Sequence, residues 1–83
     1  MSDFVILGGE RYLHLAVVAH WYHVNVSFIE EAVELELLEF ESTGQSDRVV
    51  PEHALDRLAQ LLRLHWQTGL ELEALALLLP AGP

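Results

Sequence analysis

The sequence predicts a mainly α single domain with four helices and one small β-hairpin. Three observations carry this. Apolar residues make up 52% of the 83 positions, enough for one modest core. Four stretches repeat apolar residues at helical spacing. Between the second and third of these lies a polar, glycine-bearing turn flanked by two short runs with strand character. No repeat, low-complexity tract or interdomain linker interrupts the chain. Residues 1–12 read as an N-terminal arm or strand and 80–83 as a tail.

Phe4 to Leu7 (FVIL) is a brief apolar run closed by Gly8 and Gly9, a short strand or extended arm. Leu15, Val18, Ala19 and Tyr22 then predict a first helix from about His14 to Tyr22. A short join containing Asn25 leads to Ser27, which with Glu30 three residues later has the spacing of a capping box. Ile29, Val33 and Leu37 form the buried stripe of this second helix, leaving Glu30, Glu31 and Glu34 outside. Two short helices so closely joined predict a helix-turn-helix.

Leu38 to Glu41 alternates apolar and acidic residues, the period of a half-buried strand. Ser42 to Asp47 is a turn, and Arg48 to Val50 returns as the second strand of a hairpin or wing. Pro51 suits the first turn of a third helix running to about Gln67, with Ala54, Leu55, Leu58, Leu61 and Leu62 inward and Trp66 either with them at the core rim or at an interface. Gly69 is placed for a left-handed cap. A short fourth helix, about Leu70 to Leu79, stops at Pro80.

Thirteen acids face four arginines, a formal charge of −9, and Lys is absent. Nucleic-acid binding rests on neutralising phosphates, so this balance argues against it. It suits a basic protein partner. From Glu30 to Glu41 there are six Glu and no cation. A solvated helix face explains any one of them, but the cluster points to an interface. Without Cys, neither disulfides nor thiolate metal sites form. No basic start precedes an apolar run and no run is long enough to span a bilayer, so no signal peptide or membrane association is expected, and a cytoplasmic location is. His20 and His23 share the spacing of a metal pair but have no evident third ligand; no metal or other cofactor is expected. No activated nucleophile or phosphate-binding glycine loop is present, so the chain does not read as an enzyme. Trp66, Leu77 and Leu78 are candidates for a second interface, either for self-association or for a further partner.

The order helix, turn, helix, wing, helix, short helix, with Leu13-x-Leu15 before Val18-Ala19, Val26-Ser27, Leu37-Leu38 and Gly69-Leu70-x-Leu72, resembles the winged-helix head of MerR-type regulators. It is more closely similar to the small chaperone modulators related to that head. These include the modulator of the DnaJ-like protein CbpA and the DnaK–DnaJ assembly factor. The resemblance covers roughly Tyr12 to Leu79. It implies a MerR-like winged helix-turn-helix and a J-domain co-chaperone as partner, with DnaK or another Hsp70 in the same assembly. The acidic second helix would then carry the contacts, with Phe28, Glu30, Glu31 and Glu34 as candidate residues. The alternatives are a MerR-like transcriptional regulator or anti-regulator binding DNA or another protein, and a structural subunit of an unrelated complex. Two features depart from the pattern. Glu36 stands where MerR heads usually carry Gly before the apolar pair, so a less sharp turn or a longer helix is expected. The sequence also ends at Pro83 without the long helix through which the regulators dimerise, so a coiled-coil dimer is not expected.

Overall fold

The computed structural model describes residues 4–44 and 47–79. Positions 45 and 46 of the turn, Pro80 with its tail, and the first three residues of the arm lie outside them. The order is β1 (Phe4–Leu7), β2 (Glu10–His14), α1 (Leu15–Tyr22), α2 (Val26–Glu34), β3 (Glu41–Ser42) and β4 (Arg48–Pro51). A single 3₁₀ turn (Glu52–Ala54), α3 (Leu55–Thr68) and α4 (Leu72–Leu78) follow. The four strands form one antiparallel sheet in the order β1-β2-β4-β3. The four expected helices are present, but the domain is α+β rather than mainly α.

The correction comes from the N-terminal segment. Gly8 and Gly9 both take positive φ, 57° and 82°, which a tight two-residue hairpin needs and glycine adopts without strain. The chain therefore folds back as β2 instead of running on as an arm. Phe4 pairs with Leu13 and Leu7 with Glu10. On its other side β2 pairs with β4, Leu13 opposite Val50. Leu13 and Val50 are both fully buried and form the sheet's contribution to the core.

The helices supply the rest: Val18 and Ala19 from α1, Ile29, Ala32 and Val33 from α2, Leu58, Leu61 and Leu62 from α3, and Leu72 and Leu75 from α4. These are the inward positions of helical stripes, and burying them supplies most of the driving force for folding. The outward line of α3, Asp56, Gln60, Arg63 and Gln67, is exposed as its spacing requires.

Two turns bracket α2. Beyond α1, His23 adopts a left-handed conformation (φ 57°); the Val24 amide donates to the Ala19 carbonyl (3.0 Å) and His23 to His20 (3.3 Å). Beyond α2, Glu36 does the same (φ 61°), with Leu37 donating to Ala32 (2.9 Å) and Glu36 to Val33 (3.0 Å). Both are Schellman closures built without the usual glycine. The expectation at Glu36 is thus corrected: the turn is sharp and the helix stops at Glu34.

The capping box is also absent. Once His23 has turned the chain, Asn25 is extended and Val26 is already helical. Ser27 and Glu30 therefore both sit inside the helix rather than at its start. The strand expected from Leu38 shrinks to Glu41–Ser42. The turn at Glu36 sends Leu37 and Leu38 into the core one after the other, which an alternating strand cannot do. What remains pairs Glu41 with Val49 and Ser42 with Arg48 as a minimal hairpin. Between Pro51 and α3, a 3₁₀ turn replaces the first turn of the expected helix. Gly69 does close α3 in the left-handed conformation, its amide donating to His65 at 2.9 Å.

Candidate functional site

Three surfaces hold the residues that sequence reasoning singled out, and one that it did not. The first is the outer face of α2. Ile29, Ala32 and Val33 are buried, which turns Glu34 fully outward and leaves Glu30 and Glu31 part-exposed. Glu30 and Glu34 are one turn apart, a like-charge pair that destabilises a helix by a few tenths of a kcal/mol. Glu31 and Glu34 lie in the last turn of the helix and Glu30 at its middle, with no acid in the first turn and no base in the last. The C-terminal end of a helix carries partial negative charge, so this arrangement opposes the helix dipole. Among the described residues no ion pair neutralises Glu30, Glu31 or Glu34. Arg11 instead donates to both carboxylate oxygens of Glu52, at 3.1 and 3.0 Å, and Arg57 donates to the Leu37 carbonyl at 3.4 Å.

Phe28 is turned away from Glu30 and Glu34, with Glu31 between them and it around the helix. It is part-buried against the core, and its ring sits 5.5 Å from that of His65. It forms one wall of a cleft of about 390 Å³ between the α1–α2 turn and α3. Leu62, His65 and Trp66 of α3 form the other wall, and His23 and Val24 close one end. His65 Nδ1 meets the Leu70 carbonyl at 2.7 Å, so that nitrogen carries the proton and the ring is fixed.

The third surface is apolar. Leu77 and Leu78 are 89% and 68% exposed on α4, and Trp66 is 66% exposed on α3, the three most exposed large hydrophobic groups among the described residues. Leu72 and Leu75 take the inward positions of α4, which forces Leu77 and Leu78 outward. Trp21, by contrast, is held edge-on against Phe4 at 6.3 Å.

The unanticipated cluster spans three parts of the chain. His53, in the 3₁₀ turn, directs Nδ1 at Glu10 of β2 and Nε2 at Glu39 before β3, the latter at 3.1 Å. Carboxylates accept hydrogen bonds, so satisfying both nitrogens requires the imidazolium. The bond to Glu39 first, then that to Glu10, raises the His53 pKa above its ordinary value against some loss of hydration. The Tyr12 phenol is raised too, by partial burial and then by Glu10, Glu41 and Glu39. His14 Nδ1 meets Asp47 at 2.8 Å nearby. His53, Glu10 and Glu39 share no sequence spacing, so no local pattern announces them.

Among the described residues no three His, Asp or Glu side chains are grouped as ligands for a metal; His20 sits in the last turn of α1 and His23 in the left-handed turn that ends it. No helix of the described residues is long and apolar enough to cross a membrane. Comparison of the chain with protein-family models, curated proteins and solved structures found no match to any of them.

Proposed function

We propose that this protein is a chaperone modulator of the MerR-like winged-helix type. In this reading it binds the J-domain of a DnaJ- or CbpA-like co-chaperone through the acidic face of α2, and so regulates or assembles an Hsp70 system. One observation carries the reading: among the described residues Glu30, Glu31 and Glu34 have no ion-pair partner, Glu30 and Glu34 are one turn apart, and Glu31 and Glu34 lie at the negative end of their helix dipole. Folding alone disfavours that arrangement, and local departures from good structural chemistry concentrate where function requires them. A basic helix docked on this face would relieve the repulsion that the free protein carries. The helix order resembling that family supports the choice of partner.

The test is calorimetric titration with the host's isolated J-domain at low and moderate salt. Binding should weaken with salt and vanish in a Glu30/Glu31/Glu34→Lys variant. If heat and NMR shifts are both absent at either salt, direct J-domain binding fails. If the same variant instead gains affinity for duplex DNA, the order of helices is that of a regulator.

A further inference from the structure

We propose that His53 is a pH-operated clasp: protonated, it holds the segment Glu39–Ser42, with strand β3, in place; neutral, it releases that segment. The inference is independent of the partner proposed above. It stands on where the three side chains come from. His53 follows Pro51, which pairs with Tyr12 of β2, and Glu10 lies on the same strand opposite Leu7. The sheet therefore sets their relative position. Glu39 differs. It and Phe40 belong to no helix or strand, and every residue from Glu39 to Ser42 is exposed. Leu38 anchors one end of the segment in the core. Beyond it, backbone contacts hold the segment: Glu41 pairs with Val49, Ser42 with Arg48, and the Thr43 amide donates to the Asp47 carbonyl at 2.9 Å. A stretch with so little buried surface opens locally far more readily than the core. The side-chain ties from Glu39 to His53 and from Asp47 to His14 are both histidine–carboxylate contacts, at 3.1 and 2.8 Å, and each is an ion pair only while its histidine is protonated.

An imidazolium donates from both nitrogens, a neutral ring from one. When His53 loses its proton, one carboxylate keeps a donor and the other is left facing a lone pair, so attraction there becomes repulsion. Glu10 is fixed by the sheet, so the proton stays on Nδ1 and the Glu39 segment is the one to leave. The surrounding groups set the sense of the switch. Glu10 and Tyr12 of β2, Glu39, Glu41 of β3 and Glu52 of the 3₁₀ turn share this surface, and Arg11 of β2 is committed to Glu52. The bonds to Glu39 and then Glu10 hold the ring's pKa above its ordinary value. Closure is therefore complete below about 6.5 and is lost as pH rises through the higher folded value. Deprotonation also removes a positive charge from this face, so opening and a more negative local potential come together.

The experiment is amide hydrogen exchange by NMR on the ¹⁵N-labelled full chain, from about pH 5 to 8, corrected for the intrinsic rate. Protection of the Thr43 amide should fall about threefold, with the midpoint at which the His53 ring titrates. Protection of Leu61, fully buried in the middle of α3, should not change. His53→Ala removes both bonds from an exposed position and should hold Thr43 protection low at every pH. Glu39→Gln should hold it high at every pH, because the amide accepts from the imidazolium and, turned over, donates to the neutral ring. Ring ¹⁵N shifts of neutral His53 should place the proton on Nδ1. Thr43 protection that ignores pH, or follows a midpoint other than that of His53, overturns the proposal. So does an equal change at Leu61, which would be loss of the whole fold. A neutral ring protonated on Nε2, or a Glu39→Gln variant that still switches, overturns it as well.

Discussion

Two residues carry chemistry that their neighbours do not excuse. Glu36 holds a left-handed backbone at φ 61°, which costs a residue with a Cβ about 1 kcal/mol relative to glycine. Glu36→Gly should therefore raise stability by up to about 1 kcal/mol, partly offset by the greater freedom of the unfolded chain. Glu36→Gln is the control, because it removes the charge and keeps the strain. If urea unfolding finds the Gly variant no more stable than the Gln variant, the turn is unstrained. His53 is the second case. Its pKa is raised in the folded protein by Glu39 and then Glu10, so protonation favours folding. That contribution is complete below the unfolded value of about 6.5 and is lost as pH rises through the higher folded value. The His53 ring should accordingly titrate above an ordinary histidine by NMR, and Glu39→Gln should move it back further than Glu10→Gln. A ring that titrates as in a free peptide would disprove the clasp.

At the scale of elements, α2 holds the main tension. Glu34 is the last residue of the helix, where negative charge meets the negative end of the dipole. Glu34→Gln should raise the Tm by an amount equivalent to about 0.3–1 kcal/mol, and it should also weaken binding to a basic partner. A Tm that falls on neutralisation would mean that the carboxylate is structural. The stripe of α2 was legible at Ile29 and Val33, four residues apart and both buried; Leu37 is buried too, but beyond the helix and by way of the turn at Glu36. Its start was not, because Ser27–Glu30 is only a spacing, whereas the left-handed turn at His23 and the docking of Val24 decide where helical backbone begins. The β1–β2 hairpin was within reach of the sequence. Two glycines separate FVIL from a stretch that alternates Glu10, Tyr12 and His14 with Arg11 and Leu13. Residues 1–12 read instead as an arm or a single strand, because the pairing of Leu13 with Val50 depends on residues remote in the chain.

Over the whole molecule, the division between core and surface was the most readable property. Leu58 is fully buried and Leu77 is 89% exposed, as their helical positions require. Leu58→Ala should cost about 2–5 kcal/mol, and Leu77→Ala less than about 0.5, in paired thermal melts. Comparable losses from the two would mean that α4 is packed differently. The candidate site was readable in part. An uncompensated glutamate run is visible in one dimension, but the cleft needs Phe28 and His65 from different helices, and the His53 clasp needs three separate segments.

The position of β1 has a consequence for handling the protein. Among the described residues it is a terminal strand of the sheet, it contains no Lys or Pro, and Ile6 is 61% exposed. Such an edge invites a strand from another molecule. Mutual repulsion at a net charge of −9 opposes such pairing, and that repulsion fades as salt rises. Raising salt to weaken partner docking therefore also removes the colloidal barrier. Light scattering of the protein alone should increase with ionic strength, and Ile6→Lys should abolish the increase. If it does not, the edge is not the route of association.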